Sequence, residues 1–387
     1  MSWSSSEARS IEAALALPRV SVRMSDRPDP WLVGLVAILT VLGLIFVFDA
    51  STFVSNFHFG DGYRMILKHA VSAVVGVVLL WICSRCPSDF LRRRAHWLFL
   101  ASLPLVAATL IPQLGVEVNG ARRWLPFGLF NLQPSEFVKI TYVIAVAAWM
   151  ERFADRARNP LYTILPVLAL FGLIAAMLLG QPDFGTTALL GGIAVLMLML
   201  GGVPKWQLFV PALAMGGGGF WLIWSSEYRW NRVMAFLYPE KDPLGAGYHL
   251  QQALTAFGSG GLAGQGLGNS TSKSGYLPEP HTDFIFSVIG EETGLIGATV
   301  IVVLFGLLAW RGFRIAHRHS EPFAQLLAAG LTLVIVLQAM INIGVVVGVL
   351  PTKGIGLPFI SYGGSSIMAF LSIGGLMLSL SRELRER

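Results

Sequence analysis

Charge is scarce in this chain. Of 387 residues only 13% are Asp, Glu, Lys or Arg, against 54% hydrophobic, and the mean hydropathy is +0.65. A soluble globular domain carries about twice that charge fraction, so an all-α polytopic membrane protein is the expected class. Cysteine is nearly absent too. Cys83 and Cys86 stand alone in a Cys-Ser-Arg-Cys segment. A structural zinc site takes four ligands and no second pair exists, so free thiols are expected. The first 29 residues lack a continuous apolar core, unlike a cleaved signal peptide, and the run near Trp31 is expected to act as an uncleaved signal anchor. The basic residues are scattered at the ends of apolar runs, although the net charge is +6; this fits membrane orientation and argues against nucleic acid binding. No nucleotide-binding loop and no internal repeat are visible.

The apolar runs are near 20 residues, the length of a bilayer-spanning helix, whereas barrel strands are about half as long. About ten spans are predicted: Trp31 to about Phe48, Ile66–Ile82, Trp97–Ile111, Phe137–Met150, Leu161–Leu179, Thr186–Leu200, Leu208–Trp224, Phe284–Trp310, Ala324–Val349 and Ile367–Leu380. The expected organisation is a tail over residues 1–29, one transmembrane domain over 30–381 and a tail over 382–387, with a long outer loop over 225–283 between helices 7 and 8. Arginine concentrates in alternate connections, for example Arg92, Arg93 and Arg94, then Arg152, Arg156 and Arg158, then Arg311, Arg314 and Arg318. The positive-inside rule then makes both termini cytoplasmic. The longer, less basic connections face outward, and any chemistry belongs there.

Four outward stretches carry the candidate residues. In the first, Arg122 and Arg123 precede Trp124, and Pro134-Ser135 opens a helix with Glu136 in its first turn. Glu136 and Lys139 are three apart and share a helix face, either as a self-neutralising pair or as part of a site. In the second, Asp183 is expected to cap the following helix. The third is the long loop, with Tyr228-Arg-Trp-Asn-Arg232, a glycine-rich segment from Gly258 to Ser270, and Leu277-Pro-Glu-Pro-His-Thr-Asp-Phe-Ile-Phe286. The glycines lack the strand and the Lys-Ser/Thr of a phosphate loop, which leaves re-entrant packing as the plainer reading. Glu279, His281 and Asp283 sit where water meets lipid, and an ionisable group there is a functional candidate. If extended, the three share a side, and a metal trio is conceivable. The fourth runs from Pro351-Thr-Lys353-Gly to Ser361-Tyr-Gly-Gly-Ser-Ser366; its prolines and glycines break the helix at membrane depth. Ser361, Ser365 and Ser366 can donate hydrogen bonds there. At least one of Glu291 and Glu292 should face the bundle interior.

In this order, and over nearly the whole chain, these motifs resemble the SEDS family, the multi-spanning polymerases of bacterial peptidoglycan. Gly266-Leu-Gly-Asn-Ser270 is more similar to the cell-division branch than to the elongation branch, whereas Thr271-Ser-Lys-Ser-Gly275 departs from the division-type sequence. The resemblance implies a lipid II substrate on the outer leaflet of the inner membrane, at the division septum. It places a catalytic aspartate on Asp283, a cavity lysine on Lys139 with its glutamate on Glu136, and the loop tryptophan on Trp124. Arg122, Arg123, Lys139 and Lys353 are the expected cations for a diphosphate leaving group, with Glu279, His281 and Ser361 in support and a divalent metal (Mg or Mn) as the one cofactor considered. A Lys139–Asp283 pair would hold the aspartate ionised and lower its basicity. Implied partners are a class B penicillin-binding transpeptidase and further divisome membrane proteins. The competing readings are an elongation-type polymerase, a lipid II flippase and a non-catalytic scaffold.

Overall fold

The computed structural model describes residues 28–384 apart from 119, 129, 239–245, 276, 278 and 353. Lys353 and most of the two expected tails therefore lie outside the described residues. Ten helices follow the ten apolar runs in order: α1 (Pro30–Phe59), α2 (Arg64–Cys83), α3 (Ser88–Leu110), α4 (Pro134–Arg152), α5 (Ile164–Gly180), α6 (Phe184–Leu200), α7 (Lys205–Trp224), α10 (Ile285–Arg318), α11 (Pro322–Val346) and α12 (Gly364–Arg382). The outer loop adds α8 (Glu227–Leu237) and α9 (Ala246–Ser259). Six of these helices are long and apolar enough to cross a bilayer by length and composition alone: α1, α2, α7, α10, α11 and α12. At 17 residues each, α5 and α6 are shorter, about 25 Å at 1.5 Å per residue. Charges dilute α3 and α4, at Arg92–Arg94 in one and at Glu136, Lys139 and Glu151 in the other.

Helix ends follow the local sequence. Asp29 accepts from the backbone N–H groups of Trp31 and Leu32 at 3.0 and 3.1 Å, with Pro30 in the first turn, which satisfies donors that a helix start leaves orphaned. Gly60 closes α1 in the left-handed region at φ 68°. The first helix is thus some eleven residues longer than its apolar run, from 48 to 59, because nothing in Asp49–Phe59 breaks a helix until that glycine. Asp183 caps α6 through the N–H of Thr186 at 3.1 Å, as expected.

Helix α12 is the axis of the bundle and is buried along nearly its whole length; α11 is mostly buried, and α7 lies at the periphery. At one end of the bundle the connections are short and held by Arg311–Asp29 and Arg92–Glu151 ion pairs. At the other end sits a small antiparallel sheet, β1 (Val116–Val118), β2 (Ala121–Phe127) and β3 (Phe130–Leu132), in that order. Sequence periodicity had left this stretch as a loop, since its strands are short and interrupted by Gly120 and Pro126.

The eighth predicted span is not one uninterrupted helix. α10 breaks at Gly294, where φ 66° and ψ −168° leave the helical region. A break exposes backbone groups that hydrocarbon cannot satisfy. The glycine-rich loop supplies the partners. Gln265 and Gly266 donate to the carbonyls of Glu291 and Glu292, both at 3.0 Å, while Leu295 and Ile296 donate to Gly261 and Leu262 at 2.9 and 3.2 Å. The glycines are packing devices for a re-entrant segment, and the N–H groups of Gly261, Gly264 and Gly266 are bonded within the protein, not free to cradle a phosphate. Gly264, at φ 82°, lies so close that a Cβ would collide with the Glu292 carbonyl. Gly264→Ala should therefore cost about 1–3 kcal/mol from overpacking and backbone strain, seen as a lower melting temperature in detergent. Gly217→Ala on α7, where an added methyl meets nothing within 4 Å, should leave that temperature unchanged or raise it.

Candidate functional site

A cavity of about 600 Å³ opens at the end of the bundle that carries the sheet, within the 300–1,000 Å³ range of small-ligand sites. Asp283 lies in its wall, two residues before α10. The turn that carries it is pinned at three successive carbonyls. Tyr362 N–H donates to His281 O at 2.8 Å, Ser361 Oγ to Thr282 O at 2.6 Å, and Asn342 Nδ2 to Asp283 O at 2.8 Å. Ser361 Oγ also accepts from Leu357 N–H at 2.7 Å. Its role in this arrangement is to clamp two irregular segments together.

Arg122 and Arg123 are neighbours at an irregularity of β2: Val116 pairs with Trp124 and Glu117 with Arg122, which leaves Arg123 as the extra residue that a bulge re-aims. Arg122 turns away from the cavity to an exposed ion pair with Glu117 at 2.9 Å, so it does not join the other expected cations. Arg123 lines the cavity with Trp124 and donates to the carbonyls of Gln181 and Pro182 at 3.1 and 2.6 Å. A methyl group on Gly354 would stand 3.5 Å from Asp283 Oδ2 and 3.8 Å from Arg123 Nη1, so both side chains reach this glycine and its lack of a side chain leaves them room. Arg229 and Arg232 on α8 line the same cavity. Sequence reasoning noted their motif without giving it a role; two arginines three apart in an outward loop were the available signal.

Lys139 does not pair with Asp283. Its ammonium donates to Glu136 Oε2 at 2.9 Å and to Gln338 Oε1 at 2.7 Å, and stands 5.2 Å from the centre of the Phe370 ring. Glu136 and Lys139 are both buried yet line the cavity, so they form part of its floor. Gln338 and Asn342 were missed by the sequence reading. Two amides four apart inside an otherwise apolar helix share a face, and that pattern was present to be read.

Glu279, His281 and Asp283 all line the cavity, though a turn and not an extended strand brings them there. Glu279 adopts φ 49° in a turn, so the extended alternation fails. Glu279 stands 3.7 Å from His281 Nε2 and is half exposed. The His281 ring packs edge-on against Tyr362, which in turn packs on His69 of α2, with centroids 5.3 and 5.5 Å apart. Burial lowers the His281 pKa, against the opposing pull of Glu279, so the ring is neutral at pH 7. Among the described residues no three His, Cys, Asp or Glu side chains gather into a metal cage.

A second polar cluster anchors the outer loop. Lys273 donates to Asp49 Oδ1 of α1 at 2.6 Å and to Glu292 Oε1 of α10 at 2.9 Å. Burial alone would lower its pKa, but the hydrogen bonds it donates to the two carboxylates outweigh it and hold the ammonium above its usual range. Glu291 accepts from Ser270 Oγ and from both Thr271 N–H and Oγ1. Both glutamates face inward, and they fix the loop that leads to Asp283.

The chain matches the FtsW/RodA/SpoVE family, described as cell cycle proteins, over residues 30–386. It belongs to that family. Its relatives include the probable peptidoglycan glycosyltransferases FtsW of Thiomicrospira cyclica, 40% identical over 92% of each chain, and of Allochromatium vinosum, 41% identical over 90% of this chain and 88% of the relative. Among solved structures it is similar to a chain of a peptidoglycan synthase complex that coordinates polymerization and crosslinking, with a TM-score of 0.77 and 30% identity over 94% of this chain and all of that one. It is also similar to the rod shape determining protein RodA of Thermus thermophilus, with a TM-score of 0.69 and 27% identity over 94% of this chain and 99% of the other. The many FtsW relatives place it with the division-type members, and the family is one of multi-pass membrane proteins, as the apolar helices require.

The family member's Asp283 is electrostatically distinctive. Burial raises its pKa to about 7, Glu279 and Asp183 push the same way, and Arg232 and Arg123 oppose them. A carboxyl whose folded pKa exceeds its unfolded value of about 3.9 binds more protons folded than unfolded between those two values. Its ionisation therefore costs stability that is intact below about pH 4 and lost as pH rises toward 7. Asp283→Asn removes that cost. The variant should melt higher than wild type at pH 8 and match it at pH 4, with the difference growing between.

Proposed function

We propose that this protein is a peptidoglycan glycosyltransferase of the division-type branch, polymerising lipid II into glycan strands at the outer face of the bacterial inner membrane. One observation carries the reading above all: a carboxyl with a pKa near 7, held in a cavity at the membrane's edge and flanked by arginine.

The reaction joins the sugar 4-hydroxyl of one lipid II to the anomeric carbon of another lipid-linked chain. Asp283, ionised, accepts the hydroxyl proton as the oxygen attacks. The O4–C1 bond forms, the bond from C1 to the diphosphate breaks, and its electron pair leaves with the diphosphate. A base whose pKa lies near the working pH suits this transfer, an effect worth about 10²- to 10⁴-fold. An α-linked diphosphate becomes a β-glycoside in one displacement, so one base suffices and no covalent intermediate forms.

Negative charge grows on the departing diphosphate, and fixed cations stabilise it most where water is excluded. Arg123, Arg229 and Arg232 line the cavity. Lys353 belongs to the segment beside Gly354 and is proposed with them from its sequence position. Lys139, neutralised by Glu136, contributes a structured floor more than a free charge. The described residues offer no cage for a resident metal, so Mg or Mn enters this proposal only as the diphosphate's counter-ion and no step is assigned to it.

The similar chain in the peptidoglycan synthase complex supports a class B penicillin-binding transpeptidase as partner, and the FtsW relatives support further divisome membrane proteins and a septal location. The basic short connections support cytoplasmic termini.

Purified protein, its cognate transpeptidase and lipid II should yield glycan chains on a gel. Asp283→Asn should lower the polymerisation rate by at least about 100-fold without loss of protein. Wild-type kcat/KM should fall as pH drops below about 7, the point at which Asp283 becomes protonated. Chains from Asp283→Asn at the wild-type rate would overturn the base assignment.

A further inference from the structure

The hydrogen bonds around Asp283 and Lys139 converge on one helix. On α11, Gln338 and Asn342 are one turn apart, and both are almost wholly buried. Gln338 Oε1 accepts from Lys139 Nζ at 2.7 Å, while its Nε2 donates to Gly356 O at 2.9 Å. Asn342 Nδ2 donates at 2.8 Å both to Asp283 O and to Ile355 O. The two amides thus hold consecutive carbonyls, 355 and 356, of the irregular segment before α12. One amide also holds the floor lysine and the other the backbone of the aspartate.

We propose that Gln338 and Asn342 are positioning residues, which set Asp283, Lys139 and the 351–361 segment in a single register across the cavity. The amide is suited to this role. It is uncharged, so it adds no Coulomb contribution to the aspartate, and it offers a donor pair and an acceptor from one rigid plane. Apolar side chains there would orphan three carbonyls, of Asp283, Ile355 and Gly356. An acid would set a carboxylate against them. The groups that face Asp283 with charge come from elsewhere: Glu279 in its own turn, Arg232 on α8, Arg123 on β2 and Asp183 before α6. Helix α11 contributes geometry alone.

With Asn342 gone, the Asp283 carbonyl loses its pin and the turn can relax toward water. The carboxyl then becomes easier to ionise. Its protonation midpoint falls, and its alignment with a substrate hydroxyl is lost. A displacement of about 1 Å can cost on the order of 10²-fold in rate.

The test uses the full-length chain in detergent and reads two things. The first is labelling of Asp283 by dicyclohexylcarbodiimide, which reacts with protonated carboxyls, measured by peptide mass against pH with Asp283→Asn as blank. The second is polymerisation of lipid II with the cognate transpeptidase. Asn342→Leu keeps the volume without the donor and Asn342→Ala removes the amide altogether, neither adding a charge beside Asp283; Gln338→Leu probes the other amide. The labelling midpoint should fall from near pH 7 by about one unit or more in both Asn342 variants, with kcat down about 10- to 100-fold and KM within about twofold. Gln338→Leu should lower kcat likewise. An unchanged midpoint in folded, monodisperse Asn342→Leu overturns the proposal, whether activity survives or falls with yield, since a merely structural role would leave the titration in place. The rate arm rests on the polymerase reading and the labelling arm does not. Absence of polymer from wild type therefore counts against that reading, while the labelling still decides the positioning role.

Discussion

Backbone cannot be left unpaired at membrane depth, and this constraint organises the active end of the protein. Two segments here are irregular where regular helix would be the cheap solution: the break in α10 at Gly294 and the run over residues 354–363. Each needs donors and acceptors from protein. For the first they come from the glycine-rich loop, whose backbone lies directly on the carbonyls of Glu291 and Glu292. For the second they come from Gln338 and Asn342. Asn342 both repairs the second irregularity and holds the Asp283 carbonyl, so the site is tied to how the bundle satisfies its backbone.

Electrostatics follows from that placement. Asp283 is desolvated by the fold and faced by both signs of charge, and the balance leaves its proton affinity near neutrality. A direct Lys139–Asp283 pair would have made a weaker base. By taking Glu136 and Gln338 as its partners, Lys139 is held within the cavity floor without suppressing the basicity of the aspartate. Lys273 provides a parallel arrangement at the loop's root, where one cation joins α1 to α10 across more than 200 residues of sequence.

Much of this was legible in the chain. The helix count followed from apolar runs of bilayer length, and Asp183 was read as a cap from residue type alone. Asp283 stood out because an ionisable group entering an apolar run is costly. The small sheet was not legible, since three short strands with a proline and a glycine give no period to detect. The Gly294 break was not either. A glycine inside an apolar run is ordinary, and only the contact with residues 261–266 shows why this one leaves the helix. Arg122 and Arg123 were indistinguishable as letters; the irregular register of β2 at Arg123 left one paired with Glu117 and the other in the cavity wall.

By itself the sequence determined the class of the molecule, the order of its helices and the residue types able to do acid–base work at a membrane surface. These properties are local, fixed by transfer free energy and by capping chemistry over a few residues. Tertiary structure alone decided which groups meet: that Lys139 binds Glu136 and Gln338, that Lys273 bridges Asp49 and Glu292, and that Asn342 on α11 bonds to the Asp283 carbonyl. Such partners lie up to 224 residues apart in the sequence. Their pairing depends on how the helices stack around α12, and no short-range pattern encodes that.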